Sequence, residues 1–340
     1  MENISVPLVT PAELMKQIPQ SSKSRITVEQ GREDIKRILD GKDDRLLLIV
    51  GPCSIHDPKG AIDYAKRLNR LRGETEDKLL IVMRLYFEKP RTALGWKGLV
   101  HDPDMNGGLD MHSGLTMARK LLSEITGLGL PAAMEMLDPL VYNYVSDLVS
   151  WTSIGARTSE SQIHRQSASG IDIPVGFKNS TDGSLETAVN AIKAASSSHC
   201  YPGIDPNGRV CLIRTKGNHY GHIILRGGKT GPNYDKKSCL RASMLLNDAE
   251  VNSSVIVDCS HMNCSGGYDN QMHVWKDIVL RKSSGESGLK GIMAESYLED
   301  GNQKLIADKN KLLYGISVTD SCIGWKKTEK IIRWTHNMIS

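Results

Sequence analysis

The 340-residue chain has no apolar run that approaches a membrane span, which takes about 20 consecutive apolar residues. Its first stretch, Met1 to Thr10, has an acidic residue at position 2 and lacks a basic start followed by an apolar segment, so no secretory signal is expected. Basic residues are not gathered in one place. Forty-three Lys and Arg interleave with 39 Asp and Glu to a net charge of +4, which argues against a nucleic-acid binder and leaves room for a local anion site. The seven cysteines are odd in number and scattered, unlike a disulfide framework, so a reduced cytoplasmic location is expected. Neither an internal repeat nor a low-complexity segment appears.

What is present is a regular alternation. Eight short, mostly apolar strand candidates run over Arg45 to Gly51, Leu79 to Tyr86, Pro131 to Leu137, Trp151 to Arg157, Ile173 to Lys178, Gly221 to Arg226, Ser254 to Ser260 and Lys290 to Ser296. Helical spacing fills the intervals. Ile62, Ala65, Leu68 and Leu71 follow Asp57-Pro58, a good cap and first helical residue; Leu115, Ala118, Leu121 and Leu122 form a second set, and Leu185, Ala188, Ile192 and Ala195 a third. Apolar strands alternating with amphipathic helices predict a parallel sheet covered by helices. Eight such units predict an α/β fold of the closed (β/α)8 TIM-barrel type, with an open doubly wound sheet as the alternative.

Three stretches depart from the repeat. Residues 1–44 form an amino-terminal extension with two short helices, the second expected to start at a capping box of Thr27 and Gln30 and to end at Gly41. The segment 45–340 is then the catalytic barrel. Phe87 to Gly108 is a long loop after the second strand, and Asp205-Pro206-Asn207-Gly208 marks an inserted hairpin over about 199–216. Extensions of this kind serve assembly or regulation, or simply elaborate the surface.

In a barrel the chemistry sits at the carboxyl ends of the strands. Here the ends carry Cys53, Arg84, Glu135, Arg157, Lys178, Arg226, Asp258 with His261, and Glu295. One arginine at a strand end is an ordinary exposed charge. Four cations from four strands would instead repel one another at one mouth unless an anion joined them, and Lys89, Arg91 and Lys97 on the second loop add to them. A small, strongly anionic, phosphorylated ligand is implied. Gly227-Gly228 offers backbone amides to a phosphate or simply makes a turn. Cys53, in G-P-C-S-I-H-D-P-K-G, reads as core filler or, with His261, Glu295 and a later Asp, as part of a mixed S/N/O metal site. Lys178 has a second use as a Schiff-base amine.

The motifs G-P-C-S-I-H-D-P at 51–58, M-R-L-Y-F-E-K-P-R-T at 83–92, I-G-A-R-T-S-E-S-Q at 154–162, P-V-G-F-K-N-S-T-D-G at 174–183, H-I-I-L-R-G-G-K at 222–229, V-D-C-S-H at 257–261 and T-D-S-C-I-G-W at 319–325 span nearly the whole chain. Together they closely resemble the microbial type I 3-deoxy-D-arabino-heptulosonate 7-phosphate (DAHP) synthases, the first enzymes of the shikimate pathway. The resemblance implies a transferase that condenses phosphoenolpyruvate with erythrose 4-phosphate, gives DAHP and phosphate, and needs a divalent metal: Mn, Fe, Co or Zn. It places metal ligands on Cys53, His261, Glu295 and Asp320. It places phosphoenolpyruvate contacts on Arg84, Lys89, Arg157, Lys178 and Arg226 with Glu135 nearby, and erythrose 4-phosphate contacts on Arg91 and Thr92. Lys89, Cys53 and His261 are the expected catalytic residues, Lys89 assisting proton transfer or phosphate departure.

The resemblance also implies a homodimer or homotetramer and an aromatic amino-acid effector. Pro139 to Asn143 and Asp172 depart from relatives in the regions that bind the effector, so its identity stays open and loss of inhibition is a live alternative. Two other functions are weighed beside the main one: a Schiff-base phospho-sugar aldolase on the same barrel, and a catalytically silent metabolite-binding barrel. No nucleic-acid or membrane partner is expected.

Overall fold

The computed structural model describes residues 5–306 and 309–339, so residues 1–4 of the expected extension and 307–308 and 340 of the expected barrel segment lie outside the described residues. Among these, ten strands are found: β1 Leu46–Gly51, β2 Leu79–Arg84, β3 Ala132–Glu135, β4 Trp151–Ile154, β5 Val175–Lys178, β6 Cys200–Ile204, β7 Val210–Arg214, β8 Gly221–Leu225, β9 Val255–Asp258 and β10 Leu289–Glu295. Eight close a barrel in the order β1-β10-β9-β8-β5-β4-β3-β2, every pairing parallel, and β6-β7 forms a separate antiparallel hairpin. The expected (β/α)8 barrel is the fold. Ten α-helices among the described residues accompany it: α1 Pro11–Gln17, α2 Ser22–Leu39, α3 Pro58–Thr75, α4 Met111–Leu128, α5 Pro139–Tyr142, α6 Gln162–Ser169, α7 Glu186–Ser196, α8 Lys236–Asp248, α9 Gln271–Ser283 and α10 Trp325–Met338.

Side chains alternate across a strand, so every second residue enters the barrel. Leu47 and Ile49 of β1, Leu80 and Val82 of β2, Ala133, Trp151, Ile224, Ile256 and Met293 form one interior cluster with Ile35, Ile38 and Leu39 of α2. Helix α2 thus closes the amino-terminal end of the barrel with an apolar floor. Arg32 secures it by donating to the carbonyls of Val149 and Ser146 at 3.0 and 2.7 Å. One further step of the same alternation carries Arg84, Glu135, Arg226, Asp258 and Glu295 inward at the other end, and Lys178 pairs in register with inward-facing Ile224. The strand interior therefore changes from apolar to charged along its length.

Helix α3 starts as expected, with Asp57 accepting from the Lys59 amide at 2.9 Å and Pro58 at its first position. The start expected at Thr27 is wrong. Helix α2 begins at Ser22, capped by Ser21, whose hydroxyl accepts from the Ser24 amide at 3.1 Å, while Thr27 lies inside the helix and donates to the Lys23 carbonyl. A capping box does exist one helix earlier, where Thr10 and Glu13 bond reciprocally. The inserted hairpin turns at Asp205 to Arg209, and its tip touches α1, the Ala12 amide donating to Pro206 at 2.8 Å. All seven cysteines are free, and no helix among the described residues is long and apolar enough to cross a membrane.

One interior polar group makes the barrel sensitive to acid. His222 on β8 is fully buried; its Nε2 accepts from Trp151 Nε1 at 3.0 Å, which leaves Nδ1 to donate to the Tyr220 carbonyl at 3.1 Å. Burial pulls its pKa down to about 4. Above the ordinary histidine value the folded and unfolded chains are both neutral here. As pH falls from about 6.5 toward 4 the unfolded chain takes up a proton that the folded one refuses, and stability drops by about 1.4 kcal/mol per pH unit. Chemical denaturation between pH 7.5 and 5 is expected to show that loss, and His222→Gln, which can still accept from Trp151, is expected to flatten it; parallel slopes for the two proteins would refute it.

Candidate active site

The charged end of the barrel opens into a cavity of about 480 Å3 lined by residues from β2, β3, β5 and β10 and from the loops after β2, β3, β4, β5, β8, β9 and β10, among them Arg84, Lys89, Glu135, Arg157, Lys178 and Arg226. Its floor is set by Arg84, almost fully buried at the end of β2. The guanidinium donates to Glu295 Oε1 at 2.9 Å and to the carbonyls of Pro52 and Cys53 at 3.2 and 3.3 Å, and lies 3.6 Å from the centre of the Tyr86 ring. Burial opposes its charge, but Tyr86, Glu295 and Cys53 outweigh that and keep it cationic. Arg84 thereby ties the short loop carrying Cys53 to the end of β10. On the other side of that strand end, Gln271 at the start of α9 bonds the backbone of Glu295 in both directions.

Cys53, Glu295 and Asp320 converge, with one donor atom from each lying within 4.8 Å of the others. Cys53 Sγ is 3.3 Å from Asp320 Oδ2 and accepts from Lys89 Nζ at 2.9 Å, and its amide faces Cys322 Sγ at 3.4 Å. His261 comes close, its Nε2 at 4.0 Å from Glu295 Oε1. Burial and the Glu295 carboxylate push the Cys53 thiol up to about 12. A thiol and two carboxylates are poor neighbours for one another, and a divalent cation among them would reverse that by favouring the thiolate. The donor set of sulfur, imidazole and carboxylate fits a transition metal.

The other wall is cationic. Lys178 pairs with Asp258 at 2.9 Å, and Lys89 lies 3.7 Å from Asp320. Arg226 has a buried Nε with no hydrogen-bond partner among the described residues. Burial lowers its pKa and nearby Arg157 adds to that, against Asp258. Arg157 donates to Thr92 at 3.3 Å, joining the fourth strand end to the long second loop, where Arg91 is steadied by the Trp96 carbonyl at 2.8 Å. Glu135 reaches the same space because Gly155 has no side chain: a Cβ there would lie 2.2 Å from Glu135 Oε1.

The site residues expected from sequence are thus gathered in or beside one cavity, with Lys97 exposed and outside its lining. Gly227-Gly228 does not offer free amides. Gly227 donates to Asn233 and Gly228 to Gly231, and a Cβ on either would strike the backbone of Met262 or Gly183 within 2.7 Å. The pair exists for close chain packing. Tyr86, Gln271 and Ser260 were not singled out from sequence; only Tyr86, two residues beyond Arg84 on the same strand parity, carried a readable signal.

The model of the DAHP synthetase I family matches residues 18–333. The chain belongs to that family. Within it, the chain is 46% identical over 333 residues to the Tyr-sensitive phospho-2-dehydro-3-deoxyheptonate aldolase of Salmonella typhimurium, covering 98% of this chain and 93% of that protein. It is 48% identical over 325 residues to the Trp-sensitive enzyme of Escherichia coli K12, covering 96% and 93%. The solved structure of phospho-2-dehydro-3-deoxyheptonate aldolase from Francisella tularensis superposes with a TM-score of 0.97 at 40% identity, over 100% of this chain and 98% of that one. These relatives include a Tyr-sensitive and a Trp-sensitive enzyme at nearly equal similarity.

Removing Arg84 tests the floor of the cavity. In chelator-treated protein, Arg84→Met leaves the Glu295 carboxylate buried without its counter-charge, with an expected loss of about 3–5 kcal/mol in urea unfolding. Unchanged stability would show that the pair does not hold the site together.

Proposed function

We propose that this protein is a DAHP synthase: it joins the methylene carbon of phosphoenolpyruvate to the aldehyde carbon of erythrose 4-phosphate, consumes water and releases inorganic phosphate. The observation that carries this is the pairing, in one cavity, of an undercompensated cationic wall with a cluster of metal-type donors. Phosphoenolpyruvate brings a phosphate and a carboxylate, which suit Arg157, Lys178, Arg226 and Lys89, with Arg84 beneath and Glu135 alongside. Arg91 and Thr92, at the rim and linked to Arg157, suit the phosphate of the second substrate. Holding two anions face to face depends on this charge compensation and on orientation.

Cys53, His261, Glu295 and Asp320 are the residues to hold the divalent metal. When bound, the metal supplies Lewis acidity toward the aldehyde oxygen. Burial opposes the charge of Lys89, and the carboxylates of Glu295 and Asp320 outweigh it and raise its pKa, so it serves as an ammonium donor beside the leaving phosphate. Lys178 lies in a buried pair with Asp258 at 2.9 Å, so its amine is engaged by a carboxylate rather than left open toward a carbonyl, which disfavours the Schiff-base reading. A silent barrel would have no need of an uncompensated arginine beside a metal-type cluster.

Asp172 is 95% exposed at its side chain and pairs with Lys36 at 3.2 Å, so its charge is bridged to α2. By the same proposal the protein takes an aromatic amino-acid effector and assembles as a homodimer or homotetramer.

Phosphate release from the two substrates is expected to stop on chelation and return with Mn2+ or Co2+, and Cys53→Ala is expected to abolish the return; activity indifferent to chelation would sink the metal reading. Release assayed with tyrosine, tryptophan and phenylalanine in turn is expected to fall with one of them, and equal rates with all three would show an uncontrolled enzyme.

A further inference from the structure

Asp258 is the counter-charge of Lys178. It is fully buried at the end of β9 and accepts from two sides at once. Oδ2 lies 2.9 Å from Lys178 Nζ and 2.9 Å from His261 Nδ1, while Oδ1 accepts from the Ser260 amide at 3.0 Å and the Ser260 hydroxyl at 2.5 Å. The Ser260 hydroxyl also lies 2.7 Å from His261 Nδ1. A carboxylate facing Nδ1 fixes the proton there and leaves the lone pair of Nε2 pointing toward Glu295. His261 further holds a left-handed backbone, φ +58°, rarely adopted by a residue with a side chain, so something must over-determine its position.

We infer that Asp258 is a positioning residue that couples the two halves of the cavity, one carboxylate presenting His261 to the metal and fixing Lys178 on the anion side. This rests on the metal-dependent reading of the site. An ordinary counter-ion for Lys178 would need neither the contact with His261 nor the two bonds from Ser260. Asparagine cannot substitute. Whichever way its amide turns, an N–H faces either the ammonium and the imidazole N–H or the Ser260 amide.

The test uses chelator-treated full-length protein titrated calorimetrically with Mn2+ alone and, separately, with phosphoenolpyruvate alone. Asp258→Asn is expected to weaken Mn2+ binding by about 10–100-fold and to weaken phosphoenolpyruvate binding several-fold without metal present. It is also expected to alter the absorption spectrum of the Co2+-loaded protein. Ser260→Ala, which leaves the Lys178 pair intact, is expected to weaken Mn2+ binding and leave phosphoenolpyruvate binding unchanged. That variant decides the matter if Asp258→Asn does not fold by circular dichroism. Wild-type Mn2+ affinity in a folded Asp258→Asn protein, or in Ser260→Ala where that one fails to fold, would overturn the role of Asp258. Absence of Mn2+ binding by the wild type would instead remove the metal reading on which it rests.

Discussion

Burying charge inside a ring of apolar strands is the constraint on which this site depends. Arg84 and Glu295, each almost wholly removed from solvent, are tolerable there only as a pair, and Lys178 and Asp258 likewise. The two pairs do more than cancel. Arg84 spends its remaining donors on the carbonyls of Pro52 and Cys53, so the same cation that stabilises Glu295 sets the height of the cysteine loop. Breaking either pair would therefore move chemistry as well as cost stability.

Arg226 shows the converse. Its buried Nε lacks a partner among the described residues, and burial together with Arg157 works against its charge. Arg84 and Lys178 each face a buried carboxylate, and Arg226 Nε faces none within hydrogen-bond reach among the described residues. A site left in that condition is built for a ligand that brings negative charge with it. In the proposed reaction phosphoenolpyruvate, with two anionic groups close together, is the ligand that answers that need.

Much of this was legible in the chain. The barrel strands are continuous apolar runs because both faces are covered, and that composition alone separates them from the helices. Strand ends then identify Arg84, Glu135, Lys178, Arg226 and Glu295 as neighbours. The failures have physical causes. Thr27 and Gln30 have capping-box spacing, but Ser21 offers an equally good hydroxyl where the chain turns, and packing of α2 under the barrel favours the longer helix. Gly227-Gly228 looked like an anion cradle because composition does not tell which amides are already bonded. The link from Asp258 to Lys178 joins residues 80 apart on strands separated by β8, and it becomes visible only once the barrel is closed.

Helix α2 gives the molecule a floor. With Ile35, Ile38 and Leu39 filling the amino-terminal end, the barrel is a vessel with a single opening. Arg84 and Glu295 lie deep, while Arg91 and Thr92 are exposed at the rim. Traffic through such a vessel has an order imposed by depth. Under the proposed placement of the two substrates, the molecule held by the inner wall enters before the one held at the rim, and whatever leaves passes the place where the last arrival stood.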